Sequence, residues 1–430
     1  MHSNGPPQAG SAVTQPVKWP SCYFGRGTVS PSVHRSLFRV GVPIPSEISR
    51  IISTLEPSLD PTDKTEGGLY AVSTARAVIE EKQQLLGIPL PGRVTHYPEL
   101  RYMGSKHRLL PWIYGVLRTL NFETAADPFV GSGCVAYLLK AMGKRVIASD
   151  FLNFPTVLAV ATVQNDQHRI DKPELEHLLA PVTNGPKFIE ETFDGIFFTR
   201  DDLRFLDRVS ANVETLERPE QQALARAALI GSCLKKQPRG VFTVSGDLSH
   251  YDDGRRDLRL SIEEHFLEQV EAFNGIVFDN GRRHTVRRAD VFSLTPCDVD
   301  LVYLDPPYVP RSDDNCYIKR YHFLEGLSCY WKGLRIMQDT KVRKIEKPYT
   351  PFSYRKTAIE AFESMFERYR NSIIVLSYSS NGFPDLNVLK TLLGRHKSTV
   401  TVYEKPHRYH FGTHDRVERA SVQEYLVVGQ

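Results

Sequence analysis

The constraint that most narrows the fold lies between Thr124 and Asp150. A short apolar segment ending in Asp127 runs into a turn, Pro128-Phe129-Val130-Gly131-Ser132-Gly133. A helix-like stretch over residues 134–142 follows, then a strand-like run over residues 145–149 that delivers Asp150. Glycines let backbone approach a ligand closely, and the helix that follows offers the positive end of its dipole. Asp150 stands 23 positions after Asp127, near the spacing of roughly 20 at which nucleotide-type α/β folds place a carboxylate on ribose hydroxyls. The turn is GxG without a third glycine, which disfavours a dinucleotide site. With no GK[ST] it is not a phosphate-binding P-loop. The reading is a strand-turn-helix-strand unit that holds an adenosine-bearing ligand.

A second apolar run, residues 299–304, ends in Asp305-Pro306-Pro307-Tyr308. Carboxyl ends of strands form the ligand crevice of an open α/β sheet. One acid, two prolines without backbone N–H groups and an available ring suit a planar base bearing an amino group. Upstream, Arg101-Tyr102-Met103-Gly104-Ser105-Lys106 leads into an apolar-periodic stretch over residues 109–120. A lysine at such a turn can hold a carboxylate or a phosphate.

In this order, Tyr102 to Lys106, Asp127 to Gly133, Asp150 and then Asp305 to Tyr308 resemble the D12 class of adenine-specific DNA methyltransferases, the DNA adenine methylase type. Arg320-Tyr321-His322-Phe323-Leu324-Glu325-Gly326-Leu327 and Ser377-Tyr378-Ser379-Ser380-Asn381-Gly382 resemble one branch of it. The resemblance spans residues 98–430 in motif order. It implies a Rossmann-like, S-adenosylmethionine-dependent α/β fold with a mostly parallel mixed sheet and a largely helical target-recognition insertion. It also implies that Tyr102, Lys106, Asp127, Phe129, Gly131, Gly133 and Asp150 bind S-adenosylmethionine. Asp290, in Ala289-Asp290-Val291-Phe292, falls near the cofactor adenine, and Asp305 between cofactor and target amine. Ser105 departs from the pattern, since many members carry a second glycine there. Double-stranded DNA is the implied partner, and a cognate restriction enzyme accompanies many members.

The chemistry of an adenine amine makes the same demand. Its lone pair is delocalised into the ring, so catalysis must draw that density back to nitrogen. Asp305 accepting one N–H, and the Pro306 carbonyl the other, would do so, with Pro307 stiffening the turn and Tyr308 stacking on a base turned out of the duplex. From the residues alone, three other readings stay open: methylation of cytosine N4, methylation of RNA, and a DNA-binding protein that keeps the pocket without turnover.

Domain organisation is expected as a flexible Pro/Ser/Gly-rich start (1–35), a helical extension (36–95), a first catalytic part (96–152), the insertion (153–284) and a second catalytic part (285–430). Within the insertion, Thr199 with Asp202 predicts a helix N-cap. Lys235, Lys236, Arg239, Arg255 and Arg256 are candidate DNA contacts. Further helices are expected over residues 356–370 and 386–393. A strand is expected over 373–378, with an antiparallel pair from 399–403 and 424–428.

The 430 residues carry a net charge of only +4, so any DNA-binding face must come from local clustering. Six scattered cysteines without a CxxC pair argue against a zinc site or disulfide framework. His250, Asp252 and Asp253 read as a polar turn, and no metal is expected. There is no apolar run of roughly 18 residues and no signal-like start. These point to a cytoplasmic protein that does not contact membrane.

Overall fold

The computed structural model describes residues 89–244, 254–294, 298–310, 317–408 and 421–430, all within the compact unit Thr74–Gln430. The expected flexible start, most of the helical extension and the His250 turn lie outside the described residues.

The strands are β1 (Thr124–Asp127), β2 (Arg145–Asp150), β3 (Thr285–Arg288), β4 (Leu301–Leu304), β5 (Val309–Pro310), β6 (Ile373–Ser379), β7 (Gly382–Phe383), β8 (Val400–Arg408) and β9 (Ser421–Gly429). Before and within the insertion run α1 (Leu110–Leu117), α2 (Cys134–Ala141), α3 (Asn153–Ala159), α4 (Lys172–Leu179), α5 (Phe188–Phe193), α6 (Arg200–Val213), α7 (Pro219–Lys236), α8 (Arg256–Arg259) and α9 (Ile262–Gly275). The carboxyl-terminal part adds α10 (Tyr317–Cys329), α11 (Arg355–Arg368) and α12 (Leu386–Gly394).

Seven strands form one sheet in the order β3-β2-β1-β4-β6-β9-β8. The pairs from β3 to β6 are parallel, and β9 lies antiparallel to both β6 and β8. This is the mostly parallel mixed sheet expected, with the antiparallel pair closing it. Successive side chains of a strand face opposite sides, and both sides are covered. Ala125, Leu301, Tyr303 and Val375 enter one apolar core, while Ala126, Val302, Leu304 and Ile374 enter the other. Burial on both faces is why β4 reads as a continuous apolar run rather than an alternating one.

Strand order reverses between β1 and β4, whose residues Ala125 and Ala126 pair with Leu301 and Val302. Below that junction, the Asp300 carboxylate accepts the N–H groups of Glu123 and Thr124 and the Thr124 hydroxyl, locking the register. The carboxyl tips of the two strands therefore stand side by side, and each ends in an acid.

Residues between β2 and β3 are helical, as expected, and their helices start where the chain signals it. Thr199 and Asp202 form the expected capping box, and Asp171 with Glu174 and Ser261 with Glu264 form two more. The first of these helices, α3, packs on β2 and β3 and so belongs to the layers of the sheet.

Helix α10 joins the two regions. Phe323 is fully buried, stacked on Phe242 at 5.2 Å and edge-on to Phe193 at 5.0 Å. Two residues on, the buried Glu325 carboxylate accepts the backbone N–H groups of Asn153 and Phe154 and the Asn153 amide, at 2.7–3.1 Å. It caps the amino end of α3 in place of a local residue. Glu325→Ala would strand those donors in the interior, at an expected cost of about 2–4 kcal/mol, read as a lower denaturation midpoint. An unchanged midpoint would show the cap to be dispensable.

Candidate active site

At the strand-order reversal a cleft opens, about 1070 Å³ with its open mouth included, where a doubly wound sheet places its ligand. Its lining draws on every motif of the cofactor series: Tyr102 and Lys106, Asp127 to Ser132, Asp150, Ala289 to Val291, Asp305 and Pro307.

Asp305 stands at the tip of β4, and the buried Lys106 donates to both of its carboxylate oxygens, at 2.9 and 2.7 Å, and to the Gly104 carbonyl at 3.1 Å. Burial raises the Asp305 pKa above the ordinary carboxylate range, and the lysine holds it back. Asp127, at the tip of β1, is nearly inaccessible. Burial lifts its pKa well above the usual range, against the Phe129 N–H that it accepts at 3.3 Å.

The glycine turn is shaped by backbone that other residues tolerate poorly. Gly131 and Gly133 have φ of 50° and 81°, and a Cβ on Gly133 would meet the Tyr97 hydroxyl, which donates to the Ser132 carbonyl. Asp150 ties this turn to the end of β2. Its carboxylate accepts the Gly131 N–H at 3.0 Å and the Leu152 N–H at 2.9 Å. Burial pushes its pKa up to about 7 against those two bonds. Ala289 donates to the Asp150 carbonyl, which brings Asp290 to the rim, with its carboxylate accepting the Phe292 N–H at 2.8 Å. Ser105 meets Ser132, hydroxyl to hydroxyl, at 3.3 Å, so the departure from glycine adds a contact to the turn.

Two stretches of the lining lay beyond the sequence reading. Tyr317 is one: together with Tyr321 it stacks on Tyr102, at 5.6 and 5.0 Å, and Tyr321 accepts the Met103 N–H. The spacing of these tyrosines by four along a helix was the available signal. The other is the segment Lys347, Pro348, Thr350, Phe352 and Ser353, which is irregular and has no periodicity to reveal it.

Tyr308 sits apart from the cofactor series. Pro306 is buried beneath it, and its half-buried ring rests against Tyr378 at 5.0 Å, beside Gly382, where a Cβ would crowd it. Tyr378 is held in turn by donating to the Pro384 carbonyl. The second motif, Ser377 to Gly382, thus supports the first.

The five basic residues of the insertion do not form one open face. Lys236 is committed to Asp202 at 3.2 Å and to the Leu260 carbonyl. Lys235 and Arg256 converge on Glu268, Arg255 donates to the Pro238 carbonyl, and Arg239 is exposed. Among the described residues there is no cluster of metal-ligating side chains, and no helix is long and apolar enough to cross a membrane.

Comparison with known proteins agrees with this geometry. Residues 102–369 match the family model described as D12 class N6 adenine-specific DNA methyltransferase. The chain is 31% identical over 329 residues to the Type II methyltransferase M2.HphI of Haemophilus parahaemolyticus, covering 73% of this chain and 92% of that one. It is 22% identical over 321 residues to the Modification methylase LlaI of Lactococcus lactis subsp. lactis, covering 69% of this chain and 49% of the relative, so it spans about half of that longer protein. A sheet reversing between two acid-tipped strands, the order of the motifs and a family match over most of the chain converge, and the protein belongs to the D12 class of N6 adenine-specific DNA methyltransferases.

Proposed function

We propose that S-adenosylmethionine is the methyl donor, that the substrate is adenine in duplex DNA, and that the protein serves as the modification component of a restriction system. The observation that carries the donor assignment is the inventory of the cleft. Carboxylates at Asp127, Asp150, Asp290 and Asp305 and the Lys106 ammonium surround a partly apolar lining of Phe129, Val130 and Phe352. Those groups fit a ligand with a sulfonium, ribose hydroxyls, an adenine and an amino-acid end. The glycine turn, with no side chain at Gly131, gives such a ligand close backbone approach, while Gly133 makes room for the Tyr97 hydroxyl behind the turn. When bound, the donor supplies an activated methyl group on sulfur.

In this reading Asp150 accepts the ribose hydroxyls, while Asp290 and Phe129 flank the adenine of the donor. Tyr102, Lys106 and Asp127 bind near its amino-acid end. Asp305 accepts an N–H of the target amine and draws electron density onto that nitrogen, with the Pro306 carbonyl accepting the other N–H. As the N–C bond forms, the methyl–sulfur bond would break with its electron pair left on the neutral thioether, the amine sheds a proton, and burial gives the Asp305 carboxylate the affinity to receive it. Tyr308, backed by Tyr378, stacks on the extruded base. The Lys106 ion pair fixes the carboxylate in place and biases it toward the ionised form that must begin the reaction.

The restriction role rests on the names of the relatives, a Type II methyltransferase and a modification methylase. Incubation with tritiated donor and duplex DNA, followed by digestion to nucleosides, is expected to place the label in N6-methyladenine. Label that appears only with RNA would overturn the duplex assignment. Long-read sequencing of DNA from expressing cells is expected to show methylation at one short sequence context, as a protective modification requires, and scattered methylation would overturn the restriction role.

A pH dependence follows from Asp150. Hydroxyl donors favour its carboxylate form, so donor binding lowers a pKa that stands at about 7 in the free protein and releases a proton. Affinity should therefore rise with pH, the dissociation constant falling about tenfold between about pH 6 and 7.5. Asp150→Asn should bind more weakly and lose that slope. Titration calorimetry in two buffers reads both, and equal slopes in the two proteins would remove Asp150 from the ribose.

A further inference from the structure

A concentration of cations beside the cleft lies on a hairpin outside the insertion. Residues 332–347 carry Lys332, Arg335, Lys341, Arg343, Lys344 and Lys347 against Asp339 and Glu346, an excess equal to the +4 of the entire chain. Ile336 and Ile345 pair antiparallel, with Met337 N–H donating to the Lys344 carbonyl and Glu346 N–H to that of Arg335. Val342 and Ile345 are buried and anchor the hairpin in the core, which leaves its polar side chains outside.

Lys332 pairs with Glu214 at 3.1 Å, but the charges nearer the turn of the hairpin are weakly compensated. Among the described residues, Lys341 and Lys344 pair with no carboxylate, and both line a surface groove with Thr243 and Val244. Arg335 and Glu346 approach only to 3.9 Å, and both are largely exposed, where an ion pair contributes little. In the insertion, by contrast, Lys236 is paired with Asp202, and Lys235 and Arg256 share Glu268.

Position adds a second observation. The hairpin runs directly into Lys347, Pro348, Thr350 and Phe352 of the cleft lining. In the same stretch Tyr349 is 62% exposed and stacks on Tyr354 at 5.5 Å, with 12° between the rings, while the Lys347 ammonium lies over Tyr354. Exposed rings interleaved with cations at the mouth of a site suit a nucleic acid.

We propose that the 332–347 hairpin is the surface that grips the phosphates of duplex DNA beside the cleft, with Arg335, Lys341 and Lys344 as its principal contacts. The proposal rests on the reading of the cleft as a site for adenine in duplex DNA, and extends it by placing the duplex against one element.

The test is binding of a labelled duplex to the full chain over a series of salt concentrations, with methyl transfer measured separately. Each phosphate contact contributes about one to the slope of log affinity against log salt. Arg335→Ala/Lys341→Ala/Lys344→Ala is thus expected to reduce the slope by about two to three and to weaken binding at about 0.1 M salt at least about tenfold. Donor binding and transfer at saturating DNA should stay within about twofold of the native protein. Lys235→Ala/Arg256→Ala should change the slope by less. An unchanged slope in the triple variant, or a larger change in the insertion variant, overturns the proposal. Should the triple variant melt early, Lys341→Gln alone decides, with an expected slope change of about one. Failure of the native protein to methylate DNA counts against the active-site reading alone, because the slopes are read from binding.

Discussion

Asp305→Ala is expected to reduce methyl transfer at least about a thousandfold, with the loss in kcat rather than in donor affinity. The reason is the position of this carboxylate, which is the acid at the tip of β4 and is held by Lys106 through both oxygens. Without it only the neutral Pro306 carbonyl is left to draw density onto the amine, and positioning supplies the rest. Alanine also strands the Lys106 ammonium in a buried place, so loss of the fold must be separated from loss of chemistry. Asp305→Asn does so, because it keeps the shape and one acceptor while removing the charge. It should bind donor and melt close to the native protein, yet transfer about a hundredfold more slowly or worse. Full transfer by the asparagine variant would end the assigned role.

The acid limb of the native pH profile provides an independent check. Asp305 must be ionised to accept the N–H, and burial raises its pKa. Activity should therefore decline on acidification at a higher pH than an exposed aspartate would give.

Gly326→Ala is expected to be the most damaging small substitution for the fold. A Cβ at this position would fall inside the Trp331 indole, and neither partner can retreat. Trp331 is buried, its backbone N–H donates to the Gly326 carbonyl at 2.8 Å, and its backbone is held at φ of 54°. Phe193 and Phe323 pack on the other parts of the ring. Overpacking a filled core costs typically about 1–3 kcal/mol and more where nothing can shift, so a loss of about 3 kcal/mol or more is expected in denaturant unfolding. Helix α10 also carries Tyr317, Tyr321 and Glu325, so donor affinity should fall with stability. A variant as stable as the native protein would show that the Trp331 site has slack.

The motifs near the cleft were legible because each is a local solution to a local problem. A strand tip, a turn needing positive φ and a capped helix leave their marks within a few residues. Hence Gly131, Gly133, Asp150, Thr199 with Asp202, and the closing strand pair lie where the chain indicates. Charge was less legible. Lys235 and Lys236 look like a basic run in the sequence, but Glu268 and Asp202 neutralise them from other helices. The neighbouring hairpin, with its two acids interspersed, draws less attention as text and presents more uncompensated charge in space.

What the sequence by itself determined is therefore the class of fold and the family, with Asp305 at a strand tip as the proposed reacting acid. Short continuous apolar runs, glycine turns and strand-ending aspartates are short-range properties that few folds can accommodate. Tertiary structure alone decided that Lys106 closes on Asp305 across 199 positions of chain, that Glu325 caps a helix 172 residues earlier, and which cations remain open to solvent. Each of these depends on which distant groups share a low-dielectric interior, where a buried charge must find a partner, and no pattern along the chain records that choice.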